Sequence, residues 1–283
     1  MIPRWSSLLA SGALAIGSLM AATNGAAAAT VSAHAASVHP GVTHVRPGGA
    51  LNGFQPGGLM QRPTGATATE HNGARSYDSS TSTNWSGYAV TGGDGAFSSV
   101  SSNWTEPTAS CNDSGTEYAA FWVGLDGYGS DSVEQTGTDS DCDGGSPDYY
   151  GWYEMYPADP VYFGNPVSPG DSMSASVSVS GDTYTITLTD NTQGWTQSEN
   201  ETQSGLSDAS AEVITEAPST EDGPLPLADF GTVSYSGSTV NGSSMGSQNP
   251  TSITMVGSSG DTLDTTSGID GSGDFSNAWQ AES

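Results

Sequence analysis

The run Ala211-Glu212-Val213-Ile214-Thr215-Glu216 sets two carboxylates among apolar residues. A carboxylate that faces a partly dry cleft is costly to ionise, so it holds its proton more tightly, and this is how an acid/base carboxyl is tuned. A Glu that points outward from an edge strand is merely solvated, and spacing alone leaves that reading open. Glu212 and Glu216 share strand parity, so periodicity does not choose between them. A second segment, Phe121-Trp122-Val123-Gly124-Leu125-Asp126-Gly127, is followed after a short turn by Val133-Glu134-Gln135-Thr136-Gly137. Together the two segments carry the strongest chemical signal in the chain.

Composition narrows that chemistry. The 283 residues include 4 Lys plus Arg, 31 Asp plus Glu and 4 His, and from Tyr77 onward there is no Lys, Arg or His at all. A segment without cations cannot neutralise phosphates or hold an anionic membrane surface, so neither nucleic acid nor membrane is expected as a partner. Without imidazole no Ser-His-Asp or Cys-His nucleophile assembles, and zinc loses its commonest ligand. What remains is carboxylate chemistry. Most proteins become strongly positive in acid, whereas this segment approaches neutrality there, a composition suited to acid. A solubilising acidic surface would produce the same count.

The chain divides into a leader and a body. Residues 1–29 have the three parts of a secretory signal peptide: Arg4, an apolar run from Leu8 to Ala22 and the alanines Ala26 to Ala29. Export to the extracellular space is the expectation. Residues 30–76 are rich in Ala, Gly, His and Pro, hold the remaining cations and show no sustained periodicity; they read as a disordered leader or as a propeptide whose Arg and His lie against the acidic body.

Residues 77–283 read as a single all-β domain. Met173, Ala175, Val177 and Val179 alternate with Ser, Gly181-Asp182 follows, and Tyr184, Ile186 and Leu188 alternate with Thr, the pattern of a hairpin. Similar short runs at Tyr118 to Leu125, Tyr149 to Met155, Ala211 to Thr215, Phe230 to Tyr235 and Ser252 to Val256 predict an antiparallel sandwich. Cys111 and Cys142 are the two cysteines, and in an exported body they read as a disulfide joining two loops. Five N-glycosylation sequons begin at Asn84, Asn103, Asn112, Asn200 and Asn241.

Six ordered motifs go further: Asn84 to Tyr88, Trp122 to Gly127, Glu134 to Thr138, Gly151 to Pro157, Ala211 to Pro218 and Ala228 to Val233. From about Asn84 to Trp279 the chain resembles the eqolisin-type glutamic peptidases, of the scytalidoglutamic and aspergilloglutamic kind. The resemblance implies a two-sheet antiparallel β-sandwich of concanavalin-like or jelly-roll type, with a substrate cleft across one concave sheet. It also implies a secreted monomer with a removable propeptide, able to act as its own inhibitor. The activity implied is pepstatin-insensitive hydrolysis of polypeptides at acid pH by a Gln/Glu pair, with no metal or other cofactor. The catalytic glutamine falls on Gln135 and the catalytic glutamate on Glu212; Trp85, Trp122, Asp126 and Glu154 fall on cleft and supporting positions. Val213 stands where the family usually has Trp.

In that chemistry the carboxylate is general base to a water that attacks the scissile carbonyl, then general acid to the leaving amine, while the Gln135 amide stabilises the oxyanion. A glycoside hydrolase using Glu154 and Glu212 across an aromatic cleft, which has no need of Gln135, is one alternative. A non-catalytic carbohydrate-binding module is another.

Overall fold

Alternating hydroxyl and apolar residues make the strands, and their register carries one row of side chains to each side of a sheet. The computed structural model describes residues 42–43, 46, 53–63, 79–111 and 115–283. The signal-type segment 1–29 lies outside the described residues, as does most of 30–76.

The longer strands are β1 (Ser79–Ser82), β2 (Trp85–Thr91), β3 (Ser99–Thr105), β4 (Ala120–Asp126), β5 (Val133–Asp143), β6 (Ser146–Tyr156) and β7 (Ser172–Ser180). They are followed by β8 (Thr183–Asp190), β9 (Trp195–Thr202), β10 (Ser210–Glu216), β11 (Thr232–Val240), β12 (Thr251–Val256), β13 (Thr262–Thr266) and β14 (Phe275–Trp279). The sole helical piece among the described residues is a 3-10 turn at Met245–Ser247.

One sheet runs β12-β2-β10-β4-β5-β6, each neighbour antiparallel, with β1 parallel to β12 at its edge. The other runs β14-β11-β3-β7-β8-β9. β13 joins them by pairing with β12 and with β14. Between the two sheets lies the main core, where Tyr88, Phe121, Val123, Leu125, Val213 and Met155 meet Trp104, Met173, Val177, Ile186, Leu188 and Tyr235. Truncating a buried Leu or Ile there to Ala costs about 2–5 kcal/mol.

The expected hairpin is β7 and β8, paired from Met173↔Asp190 to Ser180↔Thr183, and Gly181 takes the positive φ of 61° that the two-residue turn requires. On the outer face of this second sheet hydroxyls bond hydroxyls or amides across strands: Thr187 to Ser198, Thr189 to Thr196, Thr185 to Asn200, Ser101 to Thr239 and Ser174 to Asn103. Cys111 and Cys142 are bonded, with Cα atoms 5.3 Å apart. Cys142 lies within β5, however, so the bridge ties the Cys111 loop to a strand and not to a second loop.

The first sheet also packs on its other face. Trp85, Ala89, Ala120, Trp122, Val133, Tyr150, Trp152, Ile214 and Ile253 form a second apolar cluster there, against which Leu59, Met60, Tyr128 and Tyr156 are packed. That face carries the chemistry.

Candidate active site

Register builds the site. Glu212 of β10, Gly124 of β4, Gln135 of β5 and Glu154 of β6 lie in one transverse row, and Ile214, Trp122, Gly137 and Trp152 lie in the next. A third row holds Glu216, Ala120, Asp139 and Tyr150, with Trp85 opposite Glu216 on β2. Two of these positions need glycine. A Cβ on Gly137 would stand 2.2 Å from the Phe121 carbonyl oxygen, and one on Gly124 would crowd the Trp122 ring at 3.0 Å.

Glu216 is the most heavily bonded carboxylate of the face. It accepts from Trp85 Nε1 (2.9 Å), Trp122 Nε1 (3.0 Å), Asn84 Nδ2 (2.9 Å) and the backbone N–H of Gly58 (3.0 Å). The two indoles meet edge to face with centroids 4.9 Å apart. Burial pushes the Glu216 carboxyl above its ordinary range, and the four donors pull it back. Asn84, which opens the first sequon, is fully buried in this network, so its side chain is not presented for glycosylation.

Gln135 donates from Nε2 to Glu154 Oε2 at 2.9 Å. Gln135 Oε1 and Glu154 Oε1 are buried without a partner, an arrangement that polar groups in a core avoid but a reaction site uses. Burial raises the Glu154 carboxyl well above its usual range, and the next largest contribution is the charge of Glu216.

The Glu212 carboxyl is oriented otherwise. It is fully buried with neither oxygen hydrogen-bonded, although Ser210 and the Tyr128 amide lie near enough to ease the cost of its charge. Burial raises it strongly, and its acidic neighbours are Asp126 and Glu134, the latter pushed up to about 9 by burial and by Asp126. Asp126, at a positive φ of 67°, accepts the N–H groups of Ser207, Asp208 and Ala209 and so fixes the loop that enters β10. The structure thus gathers Trp85, Trp122, Gln135, Glu154 and Glu216, and leaves Glu212 with Asp126 in a separate acidic group. Val213 faces the inter-sheet core, so the exchange of Trp for Val there leaves the cleft face unchanged.

A stretch of the leader crosses this site. Gln55 pairs with Ser219 through both backbone groups, at 2.9 and 3.1 Å. Gly57 lies on the glutamine so closely that a Cβ would stand 2.3 Å from Gln135 Oε1. Gly58 donates to Glu216, the Leu59 carbonyl accepts from Asn84, and the Met60 N–H donates to the Gly127 carbonyl. Two consecutive leader residues therefore touch Gln135 and Glu216. Sequence reasoning weighed Glu216 only by parity; the signal that singles it out is its pairing opposite Trp85, which no spacing displays.

Known proteins share this sequence and fold. The sequence model described as the Peptidase A4 family matches residues 83–279. Aspergillopepsin-2 of Aspergillus niger is 33% identical over 198 residues, covering 60% of this chain and 69% of its own. A crystal structure of scytalido-glutamic peptidase with a peptide-based transition state analog superposes with a TM-score of 0.59 at 26% identity, covering 70% of this chain and 98% of that one. Aspergilloglutamic peptidase from Aspergillus niger gives 0.51 at 27% identity, covering 58% and 99%. With a family match across most of the chain and an all-β sandwich that superposes on glutamic peptidases, this protein belongs to the Peptidase A4 family and is a glutamic endopeptidase.

Proposed function

We propose that this is a secreted, acid-acting endopeptidase that cleaves polypeptides with Gln135 and Glu216, and that leader residues 53–63 occupy its cleft as an inhibitory propeptide. The observation that carries the reading is the contact of Gly57 with Gln135 and of Gly58 with Glu216. Glu216 takes the role that resemblance alone gave to Glu212, because Glu216 meets the peptide and Glu212 does not. The transition state analog carried by the scytalido-glutamic peptidase supports a polypeptide as substrate.

Once the leader has left, water entering the cleft relieves the burial that holds the Glu216 carboxyl up, and its ionised form takes a proton from the attacking water as the water oxygen bonds to the scissile carbonyl carbon. One Gln135 N–H is held by Glu154 and orients the amide; the other donates to the oxyanion, a contribution of about 3–4 kcal/mol in comparable sites. When the C–N bond breaks, the proton on Glu216 passes to the leaving nitrogen, releasing a carboxylic acid and an amine. The seated leader blocks the first step, since its Gly58 N–H occupies the carboxylate that would receive the proton. Acid action is supported by the absence of cations from Tyr77 onward, and secretion by the signal-type segment 1–29.

The test is digestion of a denatured protein at about pH 2–5 in the presence of pepstatin. Glu216→Gln and Gln135→Ala are expected to lose about a thousandfold or more in turnover, and Glu212→Gln to keep most of it. Near wild-type turnover by Glu216→Gln together with an inactive Glu212→Gln would return the chemistry to Glu212.

A further inference from the structure

The leader makes a second contact that the reaction does not use. Arg46 Nη1 bonds Asp141 Oδ2 at 2.8 Å and reaches Tyr150 OH at 3.4 Å. Its guanidinium lies beside a pair of touching rings, 5.2 Å from the Phe54 centroid and 5.5 Å from that of Tyr118, the two centroids being 5.4 Å apart. Behind Asp141 stands Asp139, which takes a bond from Trp152 Nε1 at 2.6 Å and shares the Tyr150 hydroxyl with Asp141. Arg46, Asp139, Asp141 and Tyr150 are all buried, and Asp141 Oδ1 has no partner.

We propose that Asp139, Asp141, Tyr150 and Tyr118 form a guanidinium-binding site whose occupant is leader Arg46, and that this site holds the leader in the cleft near neutral pH and gives it up in acid.

The argument is one of charge. Two carboxyls on alternate residues of one strand face the same buried space, and the body has no Lys, Arg or His to offset them. A buried charge left unpaired is costly, so the charge this pair carries near neutral pH needs the leader's cation. The groups facing Arg46 are Asp139 and Asp141 of β5, Asp148 and Tyr150 of β6, Tyr162, and Tyr118 ahead of β4. Burial pushes Asp141 up to about 7 even with Arg46 beside it, and raises Asp139 further through Asp141. As pH falls below that range the pair loses its remaining charge, the demand for a counter-ion disappears, and the anchor loosens. A guanidinium suits the site better than an ammonium, because its delocalised charge lies against the Phe54 and Tyr118 rings while its N–H groups bond the acid and the Tyr150 hydroxyl.

This rests on the reading of residues 53–63 as an inhibitory segment, so the test reads seating and not activity. Amide hydrogen exchange of the full chain, in a Glu216→Gln background that prevents self-digestion and serves as the wild type of this comparison, expressed as protection of Gln55, Gly58 and Met60 relative to free peptide, is measured at pH 7 and pH 4. Arg46→Met is expected to lower protection at pH 7 by about tenfold or more, Arg46→Lys by less, and the wild type to lose protection between pH 7 and pH 4. Asp141→Asn should behave as Arg46→Met does; should that variant not fold, Arg46→Met, which leaves every strand of the body intact, decides alone. Protection in Arg46→Met within about twofold of wild type at pH 7 overturns the site, and wild-type protection unchanged at pH 4 overturns its release by acid. Loss of protection on Arg46→Met, together with no cleavage by an Arg46→Met chain that keeps Glu216, would uphold the site while refuting the peptidase assignment of Gln135 and Glu216.

Discussion

Glu106 offers a quantitative test of how this fold depends on acid. It follows β3, is 1% exposed, and accepts from Thr138 Oγ1 at 2.5 Å, Ser140 Oγ at 2.8 Å and Trp104 Nε1 at 3.2 Å. Burial raises its carboxyl from 4.5 to about 7 against the pull of those donors. The folded chain therefore keeps a proton that the unfolded chain has lost across that span. Stability from this residue is fully present below about pH 4.5 and declines by about 1.4 kcal/mol per pH unit until about pH 7, a loss of about 3 kcal/mol. Glu106→Gln keeps the shape and cannot ionise, so it escapes the decline. Urea unfolding followed by tryptophan fluorescence, in a Glu216→Gln background to prevent self-digestion, would compare the two proteins at pH 4, 5.5, 7 and 8. The variant is expected to gain about 3 kcal/mol on its parent between pH 4 and pH 8, or about 1 M in urea midpoint. A constant packing cost of the amide cancels from this comparison. A difference that stays within about 0.5 kcal/mol over the whole range would show that Glu106 does not hold its proton in the fold, and the reasoning fails.

Gly57→Ala in the full chain must either lift the leader or push the Gln135 amide off Glu154, so protection of the Gly58 and Met60 amides should fall by about tenfold; unchanged exchange would refute the close contact. Trp85→Phe removes one donor from Glu216, and a bond to a carboxylate is worth about 1.5–3 kcal/mol, so the acid limb of the turnover profile should move up by about one to two pH units. An unmoved limb would mean that Glu216 is not the titrating base. Replacing Cys111 and Cys142 by Ser opens a loop with a sequence separation of 31 and should cost about 3–4 kcal/mol in urea unfolding, with turnover of the folded fraction retained.

Strand content was legible where apolar residues alternate with hydroxyls. Met173 to Leu188 gave a hairpin because the Gly181-Asp182 turn and the period of two agree. Strand β9 was not legible: in Trp195-Thr196-Gln197-Ser198-Glu199-Asn200-Glu201-Thr202 almost nothing is apolar, since an edge strand of the outer sheet needs little burial. The motifs identified Gln135 and the indoles of Trp85 and Trp122. They put the catalytic glutamate on Glu212, and strand parity gave no reason to prefer Glu216, because both point to the same face and the difference lies in what stands opposite. Trp85 is paired with Glu216, whereas Glu212 is paired with Ala89. Val213 is another case of register deciding: its side chain belongs to the core between sheets, so the change from Trp is a packing matter. The seat of residues 53–63 had no periodic signal, because its backbone is met by single groups of the cleft and not by a neighbouring ladder.

The hydroxyl ladders on the outer sheet bear on solubility. In acid the carboxylates take up protons and, with no cations in the body, net charge can no longer keep molecules apart. Thr185, Thr187, Thr189, Ser198, Ser174 and Asn103 do not titrate in that range, so the surface they form binds the same water at pH 3 as at pH 7. The hydroxyl ladders thus keep part of the surface hydrated while the carboxyls around them, Glu199 and Glu201 of β9 among them, change protonation.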